Sequence, residues 1–295
     1  MSVALPPVRN PPPELPVALA AAAAGAEVLR GCFGGPLDVE HKQSWNLVSQ
    51  ADRESERAVI ETIRAAFPGD GILGEESAPA QTGHDRLWVV DPLDGTTNFV
   101  HGLDHFSISI AWYCQGIARL GVILCPIRND RYVAVRGQGA WRNGQAAAVS
   151  TTGQLTESLL GVGFFYDRGR QMQATLQAMQ WLFERQIRGF RRMGTASLDL
   201  CMVGCGQLDG YFELELAAWD FSAGKLFVEE AGGRVTRCDG GHVGLHNTSV
   251  LASNGPLHDE LLQVLEPVCS QPASTRPGPV GQDPSAGTGE REPLP

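Results

Sequence analysis

The chain has 295 residues, of which 43% are hydrophobic and 19% charged, a composition typical of a globular protein with a substantial core. Its formal net charge of −10 argues against binding to nucleic acid or to an anionic membrane, because phosphate-rich partners usually meet a basic surface. Seven cysteines, an odd number without a C-x-x-C pair, form no recognisable disulfide or zinc framework, so we expect reduced thiols and a cytoplasmic location.

A proline-rich segment and a helix begin the chain. Clustered prolines prevent a regular element at residues 1–13, which we predict to be a flexible arm. A helix is expected from about Glu14 to Cys32. Its segment VALAAAAAGAEV, at Val17–Val28, is shorter than the roughly 20 strongly apolar residues that a membrane span needs. We therefore interpret it as an ordinary amphipathic helix.

A second helix and a series of strands follow. The helix is predicted at Ser49–Phe67, where Ser49 and Asp52 resemble a capping box. A short strand is expected at Gly71–Gly74. From Phe106 the apolar residues recur with a period of two and are interrupted by turn residues, a pattern typical of an antiparallel meander.

The second half of the chain alternates between strands and helices. The predicted elements are a strand near Leu159, a helix at Asp167–Arg185, a strand at Ile187–Met193, a helix at Thr195–Gly204, a strand at Tyr211–Leu216, a helix at Phe221–Glu230, a strand at Val250–Ser253 and a helix at Pro256–Val268. Such alternation predicts helices layered against sheets. We expect one domain over residues 14–269 and a tail at 270–295, whose composition indicates disorder.

Acidic residues follow several of the predicted strands. Glu75 and Glu76 follow GILG, Asp91 and Asp94 follow LWVV, and Asp220 follows YFELELAAW. Singly, each would be a helix cap or a solvated side chain. Because chain reversals at the ends of adjacent strands bring such residues to one edge of a sheet, their recurrence predicts a carboxylate cluster that needs cations. Oxygen ligands without histidine or cysteine favour Mg²⁺ or Mn²⁺ over zinc.

The segment DPLDGTTNF, at residues 91–99, adds further groups to this predicted cluster. Pro92 stiffens the turn and leaves the carbonyl of Leu93 available to coordinate an ion. Gly95 and Thr96 open a helix, and its first amide groups form an anion site. A phosphate held between cations and these amides fits the pattern, because the cations supply the positive charge that the protein lacks.

Four segments resemble the inositol monophosphatase family, the lithium-sensitive, Mg²⁺-dependent phosphatases of the sugar-phosphatase superfamily. They are GEES at Gly74–Ser77, DPLDGTTNFVHG at Asp91–Gly102, GTAS at Gly194–Ser197, and WDFSAGKLFVEEAGG at Trp219–Gly233. The resemblance covers about Glu14 to Val268. It implies a mixed α/β (α+β) fold in αβαβα layers, with an antiparallel meander sheet and a smaller mixed sheet, and it implies a homodimer.

The resemblance also implies roles for individual residues in the hydrolysis of a phosphate monoester by metal-activated water. The implied ligands of two to three Mg²⁺ ions are Glu75, Asp91, the Leu93 carbonyl, Asp94 and Asp220. Thr96 would pair with Asp52, and these two, with Glu75, would orient or deprotonate the attacking water. The implied substrate-binding residues are Asp94, Gly95, Thr96, Gly194, Thr195, Ala196, Glu213 and Asp220.

A few positions depart from the family pattern or leave alternatives open. Asn46 stands where the family normally has aspartate, and Lys42 where members often carry a basic residue in a mobile loop that helps to bind a third metal ion. Glu76 fits a helix-capping or supporting role as well as direct coordination. Glu213 has the alternative of a strand-edge carboxylate that faces water.

The substrate and even the class of function have alternatives. Inositol 1-phosphate is favoured by DGTTNFVHG and Glu213, whereas relatives with the same metal core act on histidinol phosphate, fructose 1,6-bisphosphate or 3'(2'),5'-bisphosphate nucleotides. Arg191 and Arg192 could bind a second phosphate, although arginines in such a strand are more often surface or interface residues. The alternative from a different functional class is a non-catalytic homologue that binds a protein partner.

Overall fold

The computed structural model describes residues 7–35, 39–43, 46–76, 84–166 and 168–270, and for 39–43 and 46–49 it describes the backbone. The helices are α1 (Glu14–Cys32), α2 (Gln50–Ala66), α3 (Thr96–Val100), α4 (Arg170–Glu184), α5 (Ala196–Gly204), α6 (Ala218–Glu230) and α7 (His258–Ser270), with a 3₁₀ turn at Leu155–Glu157. The strands are β1 (Val39–Gln43), β2 (Asn46–Ser49), β3 (Gly71–Gly74), β4 (Arg86–Asp94), β5 (Ser107–Cys114), β6 (Ile117–Cys125), β7 (Asp130–Val135), β8 (Gly139–Arg142), β9 (Gln145–Ala146), β10 (Leu159–Val162), β11 (Gly189–Arg191), β12 (Gly210–Leu216), β13 (Arg234–Thr236) and β14 (Thr248–Ser253).

A seven-stranded sheet carries the predicted meander in the order β3-β4-β5-β6-β7-β8-β9. β3 and β4 pair in parallel, and the other neighbours pair antiparallel, which confirms the predicted meander. The register between β4 and β5 shifts between Asp91 and Asp94. Pro92 lies within this irregularity, where its missing N–H group costs the sheet no hydrogen bond. The sheet therefore ends in a distorted turn at the predicted carboxylates.

A five-stranded mixed sheet, in the order β11-β10-β12-β14-β13, forms the second half of the molecule. β10 pairs in parallel with both β11 and β12, whereas β14 pairs antiparallel with β12 and β13. Glu213 lies on β12, opposite Val250. This sheet therefore supplies the predicted substrate-binding glutamate from a central strand.

The helices and the two sheets stack in five layers. α1 and α2 pack on the outer face of the seven-stranded sheet, α5 and α6 lie between the two sheets, and α4 and α7 cover the five-stranded sheet. Three apolar clusters fill the spaces between the layers, and the middle cluster, which includes Leu200, Phe221 and Phe227, joins α5 and α6 to both sheets. The predicted αβαβα layering is confirmed.

Helix α1, with 19 residues and a mean hydropathy of 1.4, is long and apolar enough to cross a membrane by length and composition alone. Its alanine-rich face is nevertheless buried, with Ala18, Ala21 and Leu29 each at 0% exposure. This face packs against α2, β5 and β6. The observed packing is that of a core helix. Ahead of it, within the predicted arm, Val8 packs against the same core.

The boundaries of the predicted elements agree with the observed ones to within about three residues, and differences of three residues occur at the starts of α4 and α6. α6 begins at Ala218, three residues before the predicted start at Phe221, because Asp220 Oδ2 accepts a hydrogen bond of 2.7 Å from the backbone N–H of Ala217. α7 continues to Ser270, one residue into the predicted tail. The predicted tail beyond it, residues 1–6 of the predicted arm, and Asp167 at the predicted start of α4 lie outside the described residues.

Candidate active site

The predicted site residues line one cavity of about 390 Å³ between the two sheets. The predicted metal ligands in its wall are Glu75, Asp91, Leu93, Asp94 and Asp220, and the predicted substrate-binding residues in its wall are Gly95, Thr96, Gly194, Thr195, Ala196 and Glu213. Asp52 lies behind this wall, 1% exposed, in contact with Thr96. The structure therefore brings together residues that are far apart in the sequence.

The irregular last part of β4, at Asp91–Leu93, is held by hydrogen bonds from both sides. Asp91 Oδ1 accepts a bond of 3.0 Å from the N–H of Leu93, and the Pro92 carbonyl accepts a bond of 2.9 Å from Ser55 Oγ on α2. Leu93 itself is fully buried. The first contact fixes the direction of the Asp91 carboxylate and joins residues two positions apart, whereas the second joins residues 37 positions apart and attaches this segment to α2.

Gly95 and Thr96 begin the short helix α3. Gly95 has a φ of 92°, and a Cβ at this position would lie 2.3 Å from Thr195 Oγ1, so glycine is required by both backbone and space. Thr96 Oγ1 lies 3.1 Å from Asp52 Oδ1 and 3.1 Å from the Leu93 carbonyl oxygen. Since the hydroxyl has one proton, it can serve only one of these acceptors fully at a time.

The carboxylates are crowded enough to change their protonation. Burial first, and the charges of neighbouring carboxylates second, raise the pKa of both Asp91 and Asp220 well above the usual range. Burial also raises the pKa of Asp94, to about 6, against the effect of its hydrogen bonds from Ser197. Positive charge nearby would favour the ionised carboxylates and lower these pKa values. The cluster is therefore suited to cations.

Asp94 is held by a residue to which the sequence analysis gave no role. Its Oδ2 accepts bonds of 2.7 Å from the backbone N–H and 2.5 Å from the hydroxyl of Ser197, at the start of α5. Because the Ser197 hydroxyl donates to Asp94, Ser107 on β5 must donate in the 2.7 Å contact between the two serines. Ser197 lies within the GTAS segment, but its partner is 103 positions away, so no local signal assigns the contact.

Glu213 is buried, with 7% exposure, and does not face bulk water. Its Oε2 accepts a hydrogen bond of 2.6 Å from the hydroxyl of Tyr211, and burial raises the pKa of Glu213 to about 8. Gly163, after β10, leaves the necessary space, because a Cβ there would lie 1.8 Å from Glu213 Oε2. The side chain is thus directed into the cavity by its neighbours on two strands.

Several cavity residues were missed by the sequence analysis. They include Gly163, Tyr166, Arg168, Asp199, Trp219 and Asn247. Most of them come from loops without a recognisable motif; the aromatic run FFY directly after a predicted strand would have been the only signal. Of the two predicted arginines, Arg192 lines the cavity and Arg191 does not.

The structure distinguishes Glu75 from Glu76. Glu75 lines the cavity, whereas Glu76 does not, and the backbone N–H of Glu76 donates a hydrogen bond of 3.0 Å to Glu56 on α2. This contact involves only the main chain of Glu76, so the role of its carboxylate stays a prediction. The side chains of Lys42, Asn46 and Ser49 lie outside the described part of the chain.

The donor set suits a hard cation that keeps water ligands. Among the residues that the structure describes, no three histidine, cysteine or acidic side chains converge to hold one ion by themselves. Mg²⁺ commonly takes only one or two carboxylates and retains several waters. Asp91, Asp94 and the Leu93 carbonyl therefore fit a partly hydrated Mg²⁺ better than a cage made only of side chains.

Comparison with known proteins assigns the chain to a family. The model of the inositol monophosphatase family matches residues 12–269. The chain belongs to the inositol monophosphatase family. The match spans α1 to the last turn of α7, so it includes both sheets and every residue in the cavity wall. The family resemblance inferred from four short segments is confirmed.

Individual members of the family are similar over most of their length. The Nus factor SuhB of Pasteurella multocida is 40% identical over 261 residues, which is 88% of this chain and 97% of that protein. The inositol monophosphatase structure from Anabaena (Nostoc) sp. PCC 7120 is 38% identical, with a TM-score of 0.75, over 85% of this chain and 94% of that one. An IMPase/NADP phosphatase complexed with Mg²⁺ and phosphate is 26% identical, with a TM-score of 0.70, over 78% of this chain and 86% of that one.

Proposed function

We propose that this protein is a Mg²⁺-dependent phosphatase that hydrolyses a small phosphate monoester, with inositol 1-phosphate as the first candidate substrate. The observation that carries the proposal is that four carboxylates, Glu75, Asp91, Asp94 and Asp220, lie with the Gly95 turn in the wall of one cavity. Membership of a phosphatase family and the Mg²⁺ and phosphate bound by one relative support it.

The side chains divide the chemistry between them. Glu75, Asp91, Asp94, Asp220 and the Leu93 carbonyl would hold two to three Mg²⁺ ions. Bound Mg²⁺ would neutralise the phosphate and lower the pKa of water, which are the largest contributions of metal ions to such reactions. Asp52 can accept the Thr96 proton over 3.1 Å, so the pair can orient or deprotonate the attacking water. The amides at Gly95 and Thr96 would stabilise charge on the phosphate oxygens.

The other wall of the cavity would bind the alcohol part of the substrate. Glu213 carries a proton near neutral pH, since burial raises its pKa to about 8, and it can then donate to one ring hydroxyl and accept from another. Gly194, Thr195 and Ala196 would line the same side with small groups. This arrangement favours a compact polyol phosphate.

Replacement of Asp94 tests the proposal. We expect Asp94→Asn to lower Mg²⁺-dependent phosphate release from inositol 1-phosphate by about 100-fold or more, because a charged group at the reacting centre is lost. The matched control is Asp85→Asn, an exposed aspartate before β4. Full activity in the Asp94→Asn protein would sink the proposal, and turnover of histidinol phosphate, fructose 1,6-bisphosphate and 3'-phosphoadenosine 5'-phosphate would rank the substrates.

A bisphosphate substrate is the second candidate, because a cationic side chain lies in the cavity wall. Among the described residues, the ion pairs do not include Arg192, and its charge lowers the pKa of both Glu213 and Asp199. We expect Arg192→Met to reduce turnover of fructose 1,6-bisphosphate at least about tenfold more than that of inositol 1-phosphate. Arg191→Met is the matched control, since Arg191 donates to the Phe190 carbonyl and does not line the cavity. Equal effects of Arg192→Met on both esters would exclude this candidate.

A protein-binding function is the alternative from another class, and relatives named Nus factor SuhB motivate it. A wild-type protein that binds Mg²⁺ but releases no phosphate from any of these esters would favour that alternative. We further propose a cytoplasmic homodimer that does not bind nucleic acid or membranes. Light scattering would test the homodimer, and a filter-binding assay with RNA and DNA would test the expected lack of nucleic-acid binding.

A further inference from the structure

Two buried residues and one exposed arginine form a chain of polar contacts beside the cavity and outside the carboxylate cluster. His105, between α3 and β5, is 7% exposed, and its Nε2 lies 3.3 Å from Oδ1 of Asp199 on α5. Its Nδ1 lies 3.3 Å from Nη1 of Arg128, in the turn between β6 and β7. Asp199 is 1% exposed and belongs to the cavity wall. These three residues, Arg128, His105 and Asp199, form a group that we call the His105 relay.

Arg128 determines the tautomer of His105. A guanidinium has only donors, so Nδ1 of His105 must accept and cannot carry a proton. In this arrangement Nε2 of His105 donates to Asp199. A fixed tautomer of this kind gives the histidine a direction, as a hydrogen-bond partner does for other functional histidines.

The His105 relay connects the two walls of the cavity. The backbone N–H of Gly194 lies close enough to the Asp199 carboxylate to offset part of the rise that burial causes in the pKa of Asp199. The main-chain carbonyl of His105 accepts bonds of 2.7 Å from Asn98 Nδ2 and of 2.7 Å from Thr195 Oγ1. One residue thus holds the helix that follows the Gly95 turn through its main chain, and the Gly194 segment through both its main chain and its ring.

We propose that Arg128, His105 and Asp199 are positioning residues that set the distance between the Gly194–Ala196 wall and the Gly95 turn, and thereby the fit of the polyol part of the substrate. The proposal rests on the proposed phosphatase function. It predicts that loss of the relay weakens binding of a polyol phosphate while the chemistry at phosphorus is unchanged. A small aryl phosphate, which lacks the hydroxyls, reports on that chemistry alone.

The test replaces the ring and keeps the main chain. In His105→Phe the carbonyl still accepts from Asn98 and Thr195, so only the ring contacts are lost. We expect the KM for inositol 1-phosphate to rise about tenfold, with kcat, and with kcat/KM for p-nitrophenyl phosphate, within about twofold of wild type. Arg128→Met is the second variant in case His105→Phe does not fold, and His242→Phe, at an exposed histidine, is the matched control.

Hydrogen exchange gives a readout that does not need activity. The amide of Gly194 should exchange at least about tenfold faster in His105→Phe than in wild type, because the Asp199 carboxylate beside this amide loses its anchor, and it should be unchanged in His242→Phe. An unchanged exchange rate, an unchanged KM, or a parallel loss of activity on both esters would each overturn the proposal. If wild type hydrolyses no ester, the proposed function fails, and the exchange rates alone decide whether the relay fixes the wall.

Discussion

At the scale of single residues, Gly163 determines where the Glu213 carboxylate can lie. A Cβ at residue 163 would be 1.8 Å from Glu213 Oε2 and 2.7 Å from the Tyr211 hydroxyl. The backbone cannot withdraw easily, because the N–H of Gly163 donates a hydrogen bond of 3.0 Å to the Phe212 carbonyl. The carboxylate must therefore move if the glycine is replaced.

We expect Gly163→Ala to raise the KM for inositol 1-phosphate by about tenfold or more, since a displaced Glu213 no longer meets the ring hydroxyls. Steady-state kinetics would measure this effect. Gly153→Ala is the matched control, because a Cβ at residue 153 would meet nothing within 4 Å. If both alanine variants keep the wild-type KM, Glu213 does not contact the substrate.

At the scale of elements, the parts that could be predicted from sequence are those with local causes. The β4 turn is one example, since the contacts of Asp91 with Leu93 join residues two positions apart. The contact of Asp94 with Ser197 spans 103 positions, and that of His105 with Asp199 spans 94, so both depend on how α5 packs between the sheets. The fold class was recoverable because periodicity is local, whereas these partners are set by tertiary packing.

Helix α7 is attached to the second sheet through its first residue. His258 is fully buried; its Nδ1 lies 2.8 Å from Ser253 Oγ on β14, and its Nε2 lies 3.0 Å from Thr236 Oγ1 on β13. The Thr236 hydroxyl donates to the Arg237 carbonyl over 2.7 Å, so Nε2 of His258 must carry the proton and donate. The imidazole is therefore neutral, with both nitrogens bonded.

This attachment should weaken in acid. Burial, followed by the charge of Arg234, lowers the pKa of His258 to about 4, below the value of about 6.5 in an unfolded chain. The unfolded state thus binds more protons, and stability is lost as pH falls from about 6.5 towards 4. We expect wild type to lose about 2 kcal/mol more free energy of unfolding than His258→Gln between pH 6.5 and 4.5.

Urea titrations at the two pH values, with EDTA present, would measure the difference between the two proteins. Protonation of the carboxylate cluster also changes stability in this range, but it does so equally in wild type and in His258→Gln. Parallel pH dependences of the two proteins would show that His258 is not a neutral anchor of α7.

At the scale of the whole molecule, the carboxylate cluster lies where the layers meet. Asp91 and Asp94 come from the seven-stranded sheet, Asp220 comes from α6 between the sheets, and Glu213 comes from the five-stranded sheet. Repulsion within the cluster therefore opposes the packing of the layers, and a bound cation would join them. Function and stability place opposite demands on these residues.

We expect saturating Mg²⁺ to raise the Tm of wild type by about 5–10 °C, because a ligand at about 100 times its Kd stabilises by about 2.7 kcal/mol and each kcal/mol shifts Tm by about 2–4 °C.

The Asp220→Asn variant should be more stable than wild type without Mg²⁺ and should gain less stability from Mg²⁺. Its amide oxygen can still accept from the Ala217 N–H, while one charge leaves the cluster. Its Tm in EDTA should therefore exceed that of wild type by about 2–4 °C, and most of the gain from Mg²⁺ should disappear.

Scanning calorimetry of wild type, Asp220→Asn and Asp85→Asn, each with EDTA and with Mg²⁺, would separate the two effects. Asp85 is exposed and outside the cluster, so its variant should keep the full gain from Mg²⁺. NaCl at the same ionic strength controls for screening of the net charge of −10, which would stabilise all three proteins alike. If Asp220→Asn is less stable than wild type in EDTA, the cluster does not strain the fold, and the raised pKa of its carboxyls then reflects burial without repulsion between the layers.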